Sequence, residues 1–219
     1  MTRILGFWRS VVGKKVVMGA TGLIMIGFVV VHMLGNLQAF LGSEKLNAYG
    51  ALLHGPLHEV TLLLRGVLLA AVVLHIVAAV QLTRLDRAAR PVGYARKVPQ
   101  AATPASRTLR LGGVLLLAFI VFHLLHFTTG QVHPEFIPGD VYHNLVSGLS
   151  RPLVALFYIV SMLALGLHLY HGAWASLRSL GAAQPAPSPL HRPVARVLAV
   201  VVWLGFTIVP VAVLLGWLA

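Results

Sequence analysis

Cysteine is absent from the 219 residues. That excludes disulfides, thiolate-ligated zinc, iron–sulfur ligation and covalent haem attachment through a C-x-x-C-H motif within this chain. Acidic residues are scarce: five Asp and Glu stand against 17 Lys and Arg, and charged residues together make up 10%. A soluble domain carries about 25% charge, so an ordinary globular enzyme is excluded. What is abundant is apolar, with 58% hydrophobic residues, and this excludes a disordered chain. A net charge of +12 on such a background points to a membrane protein with basic loops, not to a nucleic-acid-binding module.

A helix that crosses a bilayer needs roughly 20 mostly apolar residues, and a helix satisfies its own backbone hydrogen bonds in lipid. Five stretches qualify, over about 16–41, 60–83, 109–128, 152–177 and 194–218. They predict an all-α membrane protein, a single bundle of five transmembrane helices. A basic loop is expected over 84–108 and a Pro/Ala-rich linker over 181–193, the latter an extended spacer. The first stretch is too long for the apolar part of a cleaved signal peptide and no A-x-A-like site closes it.

Fourteen of the 17 cations fall in the N-terminal arm and in the second-to-third and fourth-to-fifth connections. The other side holds only Lys45, Arg65 and Arg151, with four of the five acids, Glu44, Glu59, Glu135 and Asp140. The positive-inside rule therefore predicts a cytoplasmic N-terminus and an outside C-terminus.

Six of the eleven histidines lie inside the predicted spans: His32, His75, His123, His126, His168 and His171. An ionisable residue in a span is costly and points to function. The plainer reading, a neutral imidazole bonded to a neighbouring helix, suits one isolated histidine better than four helices that each carry at least one. Depth sorts them. At a rise of about 1.5 Å per residue, His32 lies roughly 25 Å beyond Lys15 and His123 roughly 20 Å beyond Arg110, both nearer the outer face. On the same scale His75 lies roughly 14 Å before Arg84 and His168 roughly 15 Å before Arg178, both nearer the basic side.

Two cross-helix pairs at two depths suit two bis-histidine haems, each iron taking one imidazole from either face of the ring. Each ligand would be a neutral imidazole with its other N–H held by a carbonyl or hydroxyl. Iron with both axial positions filled has no place for substrate and suits electron transfer. The third and fourth helices each offer a choice, His123 or His126 and His168 or His171. Residues three apart share nearly one helix face, so a zinc or copper site competes with haem. Depth favours His123 and His168.

The motifs around these histidines are Gly13-Lys14-Lys15-Val16-Val17-Met18-Gly19-Ala20-Thr21-Gly22, His32-Met33-Leu34-Gly35-Asn36-Leu37 and Leu46-Asn47-Ala48-Tyr49. They continue with Phe122-His123-Leu124-Leu125-His126-Phe127, Asp140-Val141-Tyr142 and Leu167-His168-Leu169-Tyr170-His171-Gly172-Ala173-Trp174. From about Arg9 to Leu180 the chain resembles the cytochrome b membrane-anchor subunit of succinate dehydrogenase/fumarate reductase (complex II), in its five-helix, di-haem bacterial form. The block ending His-x-x-Gly-Asn-Leu is fairly specific, whereas the last helix is not.

The resemblance implies two non-covalent haems b, an outer one on His32 and His123 and an inner one on His75 and His168. It implies partners, an iron–sulfur subunit on the cytoplasmic side and a flavoprotein subunit beyond it, which would carry the dicarboxylate chemistry. It also implies a quinone, menaquinone or ubiquinone, and a bacterial cytoplasmic membrane. No residues match the family's quinone site. Arg110, Arg178, Lys14 and Lys15 are candidate propionate donors at the inner rim, and Arg65, His54, His58 and His126 at the outer one. His126 and His171 are candidates for a propionate, a quinone or a neighbouring helix. Snorkelling explains Arg65 and the rim lysines equally well. For the quinone carbonyls the outer candidates are Asn36, Gln38, Glu59 and His126, and the inner ones Trp8, Ser10, Thr108 and Trp174. The two tryptophans also fit an interfacial belt. Gly19, Gly22, Gly27 and Gly35 let a porphyrin or another helix approach closely. Rival readings are the di-haem anchor of another quinone-linked enzyme, such as a nitrate reductase or formate dehydrogenase, and a transporter built on membrane histidines.

Overall fold

The computed structural model describes residues 2–89, 103–182 and 191–219. The loop cations Arg90, Arg96 and Lys97 and the Pro/Ala tract over 183–190 lie outside the described residues. Every regular element among the described residues is helical. Helix α1 covers Thr2–Arg9 and α2 covers Val11–Leu37, with a 3-10 turn over Gln38–Leu41. Helix α3 covers Ser43–His54 and α4 His58–Ala88. Helix α5 covers Pro104–His123 and runs into a π-helical turn over Leu124–Thr128. Helices α6, α7 and α8 cover Val141–Leu149, Pro152–Ser179 and His191–Leu214. Five of these are long and apolar enough to cross a membrane: α2 with its 3-10 turn, α4, α5 with its π turn, α7 and α8.

Local chemistry moves the helix ends from where hydropathy puts them. Helix α2 starts at Val11, five residues early, because the Ser10 side chain accepts from the Gly13 N–H at 2.8 Å. Helix α5 starts at Pro104 and not at 109. Thr103 accepts from the Ser106 N–H at 3.2 Å, and a proline in the first turn has no N–H to strand. Helix α4 runs past its apolar stretch to Ala88, so residues 84–88 and 104–108, expected in the basic loop, are helical. Helix α8 stops at Leu214 and not at 218. There the Trp217 and Leu218 N–H groups turn back to the Ala212 carbonyl at 2.8 and 3.3 Å, with Gly216 at φ 72°.

Helix α1, too short for a hydropathy signal, is fixed by Lys14. This side chain is buried, and its ammonium donates to the Trp8 and Arg9 carbonyls at 2.7 and 2.9 Å. It therefore caps the C-terminal, electronegative end of α1.

In lipid, helices associate through close packing, not through apolar burial. Helix α2 packs on α4, α7 and α8, and α7 packs on α5 and α8. The α2–α7 approach uses two of the glycines: a Cβ on Gly19 would lie 3.4 Å from the Ser176 carbonyl oxygen, and one on Gly22 3.4 Å from Ser176 Oγ. Gly35 makes room for the Tyr49 ring, and Gly27 faces open space. The outside is apolar, Leu153 being 82% and Leu111 75% exposed, a surface that lipid covers and water would not tolerate.

The C-terminal ends of α4 and α7 and the starts of α5 and α8 share one end of the bundle with α1. The other end carries α3, α6, Glu44, Glu59, Glu135 and Asp140.

Candidate functional site

Four helices bring four histidines together in two pairs. His32 on α2 faces His123 on α5 with ring centres 5.8 Å apart and planes at 79°. His75 on α4 faces His168 on α7 with ring centres 6.2 Å apart and planes at 57°. The close helix pairs do not include α2 with α5 or α4 with α7. In each case the imidazoles reach across a separation that a third helix flanks. Two imidazoles on opposite faces of one metal, each bound through about 2 Å, have ring centres roughly 6 Å apart. Both spacings fit that requirement.

The hydrogen bonds around the rings bear on which nitrogen is free. His75 Nδ1 lies 3.1 Å from the Met18 carbonyl and 3.3 Å from Thr21 Oγ1, whose own hydroxyl donates to the Val17 carbonyl at 2.7 Å. His75 therefore donates from Nδ1, which leaves Nε2 with its lone pair for a metal. His123 Nδ1 lies 3.4 Å from the Tyr158 hydroxyl. His168 Nδ1 is buried without a hydrogen-bond partner, a polar atom whose environment is incomplete. His32 differs: its Nε2 lies 3.4 Å from the Asn36 amide, a long contact that a metal would displace. Asn36 keeps a better bond, donating to the His32 carbonyl at 2.8 Å. Among the described residues no cluster of three or more His, Asp or Glu is arranged to hold a metal ion, so a protein-only zinc or copper site gains no support.

The alternative histidines go elsewhere. His126, beyond the point where the π turn begins, is almost fully buried. Its Nδ1 lies 3.0 Å from the Tyr158 hydroxyl, and its ring stacks on His133 at 4.8 Å. His171 meets Trp174 edge-on at 5.8 Å.

The candidate donors also have partners. Arg110 pairs with Asp86 at 3.5 Å on the surface. Arg178 and Arg192 both lie over the Trp174 ring, 5.3 and 5.2 Å from its centre. Arg65 donates to His54 Nε2 at 3.2 Å, while His54 Nδ1 donates to the Gly50 carbonyl at 2.9 Å.

Asn47 and Asp140 belong to two separate sequence motifs. Ninety-three positions apart, they meet: the Asn47 amide donates to Asp140 Oδ1 at 2.9 Å. Asn47 Oδ1 accepts from the Tyr142 N–H at 2.9 Å, and Asp140 caps α6 by accepting from the His143 N–H at 2.9 Å. Asn144, buried beside them, exchanges two bonds with the Ile137 backbone at 2.7 and 2.8 Å. His133 donates from Nε2 to the Asn144 carbonyl at 2.9 Å and accepts on Nδ1 from the Glu135 N–H at 3.2 Å. A polar network thus ties α3 to α6 above the His32–His123 level. The signal available in the sequence is an Asn and an Asp, each two residues before a tyrosine.

The His143 N–H, and after it the Asn47 amide, hold the Asp140 carboxyl below its ordinary value. Because the folded value is the lower one, this stabilisation is present above the unfolded carboxyl value. It is lost as pH falls through the folded value. Asp140→Ala removes both the cap and the Asn47 bond, and the expected cost is about 1–2 kcal/mol. Thermal unfolding in detergent at neutral pH checks this, and the difference from the parent protein should shrink in acid.

No family model, no curated protein and no solved structure matches this chain.

Proposed function

We propose that this chain is the membrane-anchor cytochrome b of a succinate:quinone oxidoreductase, linking an iron–sulfur subunit to a membrane quinone, menaquinone or ubiquinone, with two bis-histidine haems b. The observation that carries this reading is the pair of cross-bundle histidine contacts, with ring centres 5.8 and 6.2 Å apart between helices that are not close neighbours. Bound between these rings, haem would supply reversible one-electron carriers at two depths, with no coordination position open to substrate.

The residues of the chain have distinct tasks in this reading. His75 and His168 would hold the inner group, and His32 and His123 the outer one. The Met18 carbonyl and the Thr21 hydroxyl keep the His75 proton on Nδ1 and fix the plane of its ring. The Tyr158 hydroxyl, 3.4 Å from His123 Nδ1, would accept that proton where His123 binds through Nε2. Phe119 stacks on His123 at 5.6 Å and Phe28 on His32 at 5.3 Å, which excludes water from the outer pair. The basic end would face the cytoplasm of a bacterium, with the C-terminus outside. Its cations would meet lipid phosphates and an acidic face of the iron–sulfur subunit, which in turn carries the flavoprotein subunit.

The test is a dithionite-reduced-minus-oxidised spectrum with a pyridine haemochrome assay on the purified complex. Two haems b per chain are the expected result. No haem b would overturn the reading and return the four histidines to a transporter or a haemless anchor.

A further inference from the structure

A groove on the outside of the bundle, away from the histidine pairs, combines two features that call for the same ligand. The first is a partly open cavity of about 440 Å³ between α7, α8 and the start of α5. Its walls include Leu163, Leu167 and Tyr170 from α7 and Arg196, Val200 and Trp203 from α8. Such a volume suits part of a lipid-sized molecule. The second feature is charge at its rim. On α7 the lining positions 163, 167 and 170 continue at helical spacing to Trp174. On α8 the positions 203, 200 and 196 continue to Arg192. The two helices run in opposite directions, so both stripes pass from apolar depth to the basic end of the bundle.

At that end the Arg192 and Arg178 guanidiniums lie 5.2 and 5.3 Å from the centre of the Trp174 ring. Cation–π contact orients a guanidinium but does not neutralise it. Among the described residues, none of Arg178, Arg192 and Arg196 forms an ion pair with a carboxylate. An apolar slot that opens under uncompensated guanidiniums at the membrane rim has the charge and shape of a lipid site. A zwitterionic headgroup brings no net charge to it, whereas an anionic phosphate does.

We propose that this groove binds one anionic phospholipid, its phosphate held by Arg192 and Arg196 and an acyl chain lying along Leu163, Leu167 and Val200. The site is independent of the haem reading and stands or falls without it.

The experiment is native mass spectrometry of the full chain, delipidated in detergent, titrated with phosphatidylglycerol or with phosphatidylcholine of the same chain length. The expected result is one retained phosphatidylglycerol at concentrations where phosphatidylcholine does not bind. At about one rim charge's worth of attraction per arginine, the R192Q/R196Q double variant should bind phosphatidylglycerol about thirtyfold more weakly. Val200→Trp, which fills the slot without touching a charge, should also abolish retention. Lys45→Gln, at the opposite end, should leave binding unchanged. Helical circular dichroism verifies that each variant is folded. Equal retention of the two lipids, or equal weakening by K45Q and R192Q/R196Q, would overturn the proposal. So would displacement of phosphatidylglycerol by a short-chain quinone, which would make the groove a quinone pocket instead.

Discussion

On the proposed haem reading, replacing His75 with leucine should remove one of two low-spin haem signals from the purified protein, and replacing His168 should remove the same one, with no further loss in the double variant. A six-coordinate iron needs both imidazoles, so either substitution expels the group or leaves it high-spin and open to added ligands. His32→Leu and His123→Leu should act on the other haem in the same paired manner. A double variant drawn from both pairs, such as H75L/H123L, should retain no low-spin haem b. The basis is geometric, since His75 meets His168 at 6.2 Å and His32 meets His123 at 5.8 Å. Haem per chain and the low-spin signals in electron paramagnetic resonance are the measurements. Loss of one haem with retention of the other also shows that the variant is folded. If H75L and H32L emptied the same site, the pairing would be wrong.

Gly148→Ala should lower the thermal stability of the detergent-solubilised protein markedly, although alanine is the better helix former. The added Cβ would sit 2.8 Å from His126 Cε1, 2.9 Å from His126 Nε2 and 2.9 Å from His133 Nε2. Neither ring can retreat freely. His126 is bonded to Tyr158 at 3.0 Å, and His133 is held between the Asn144 carbonyl and the Glu135 N–H. Overpacking at such a site costs typically about 1–3 kcal/mol. The gain from replacing glycine inside a helix is at most about 1 kcal/mol. The net effect is therefore destabilising. Gly172→Ala provides the contrast: nothing lies within 4 Å of its added Cβ, so only the helix-propensity gain remains and the melting temperature should hold or rise. If G148A melted like G172A, the packing around His126 and His133 would not be as described.

The five apolar stretches were legible because membrane spans announce themselves by composition alone. Their ends were not, because Ser10, Thr103 and Pro104 set helix starts by hydrogen bonding and sterics that a hydropathy profile does not contain. Depth counting matched His32 with His123 and His75 with His168, since a helical rise is nearly constant whatever the neighbours are. It could not separate His123 from His126 decisively. In the structure it is the His123 ring that meets His32, while His126 stacks on His133, seven residues away. The α3–α6 network was invisible for a similar reason. Hydrogen bonds between Asn47 and Asp140 join segments that no local pattern relates. For Lys14 the sequence offers a rim anchor or a propionate donor, and what it does not show is that the ammonium bonds the Trp8 and Arg9 carbonyls and so closes α1.

The two ends of this bundle are fastened differently, and stiffness follows from fastening. At the acidic end the Asn47–Asp140 and Asn47–Tyr142 bonds clamp α3, which follows α2, to the start of α6, which precedes α7, while the His133–Asn144 bond braces the segment between α5 and α6 against α6 itself. At the basic end, among the described residues, the ion pair between α4 and α5 is the exposed Arg110–Asp86 contact at 3.5 Å, which contributes little rigidity. The His32–His123 pair thus lies toward the hydrogen-bonded end, and the His75–His168 pair beside the close α2–α7 approach, where a Cβ on Gly22 would lie 3.4 Å from Ser176 Oγ and 3.6 Å from His75 Cε1.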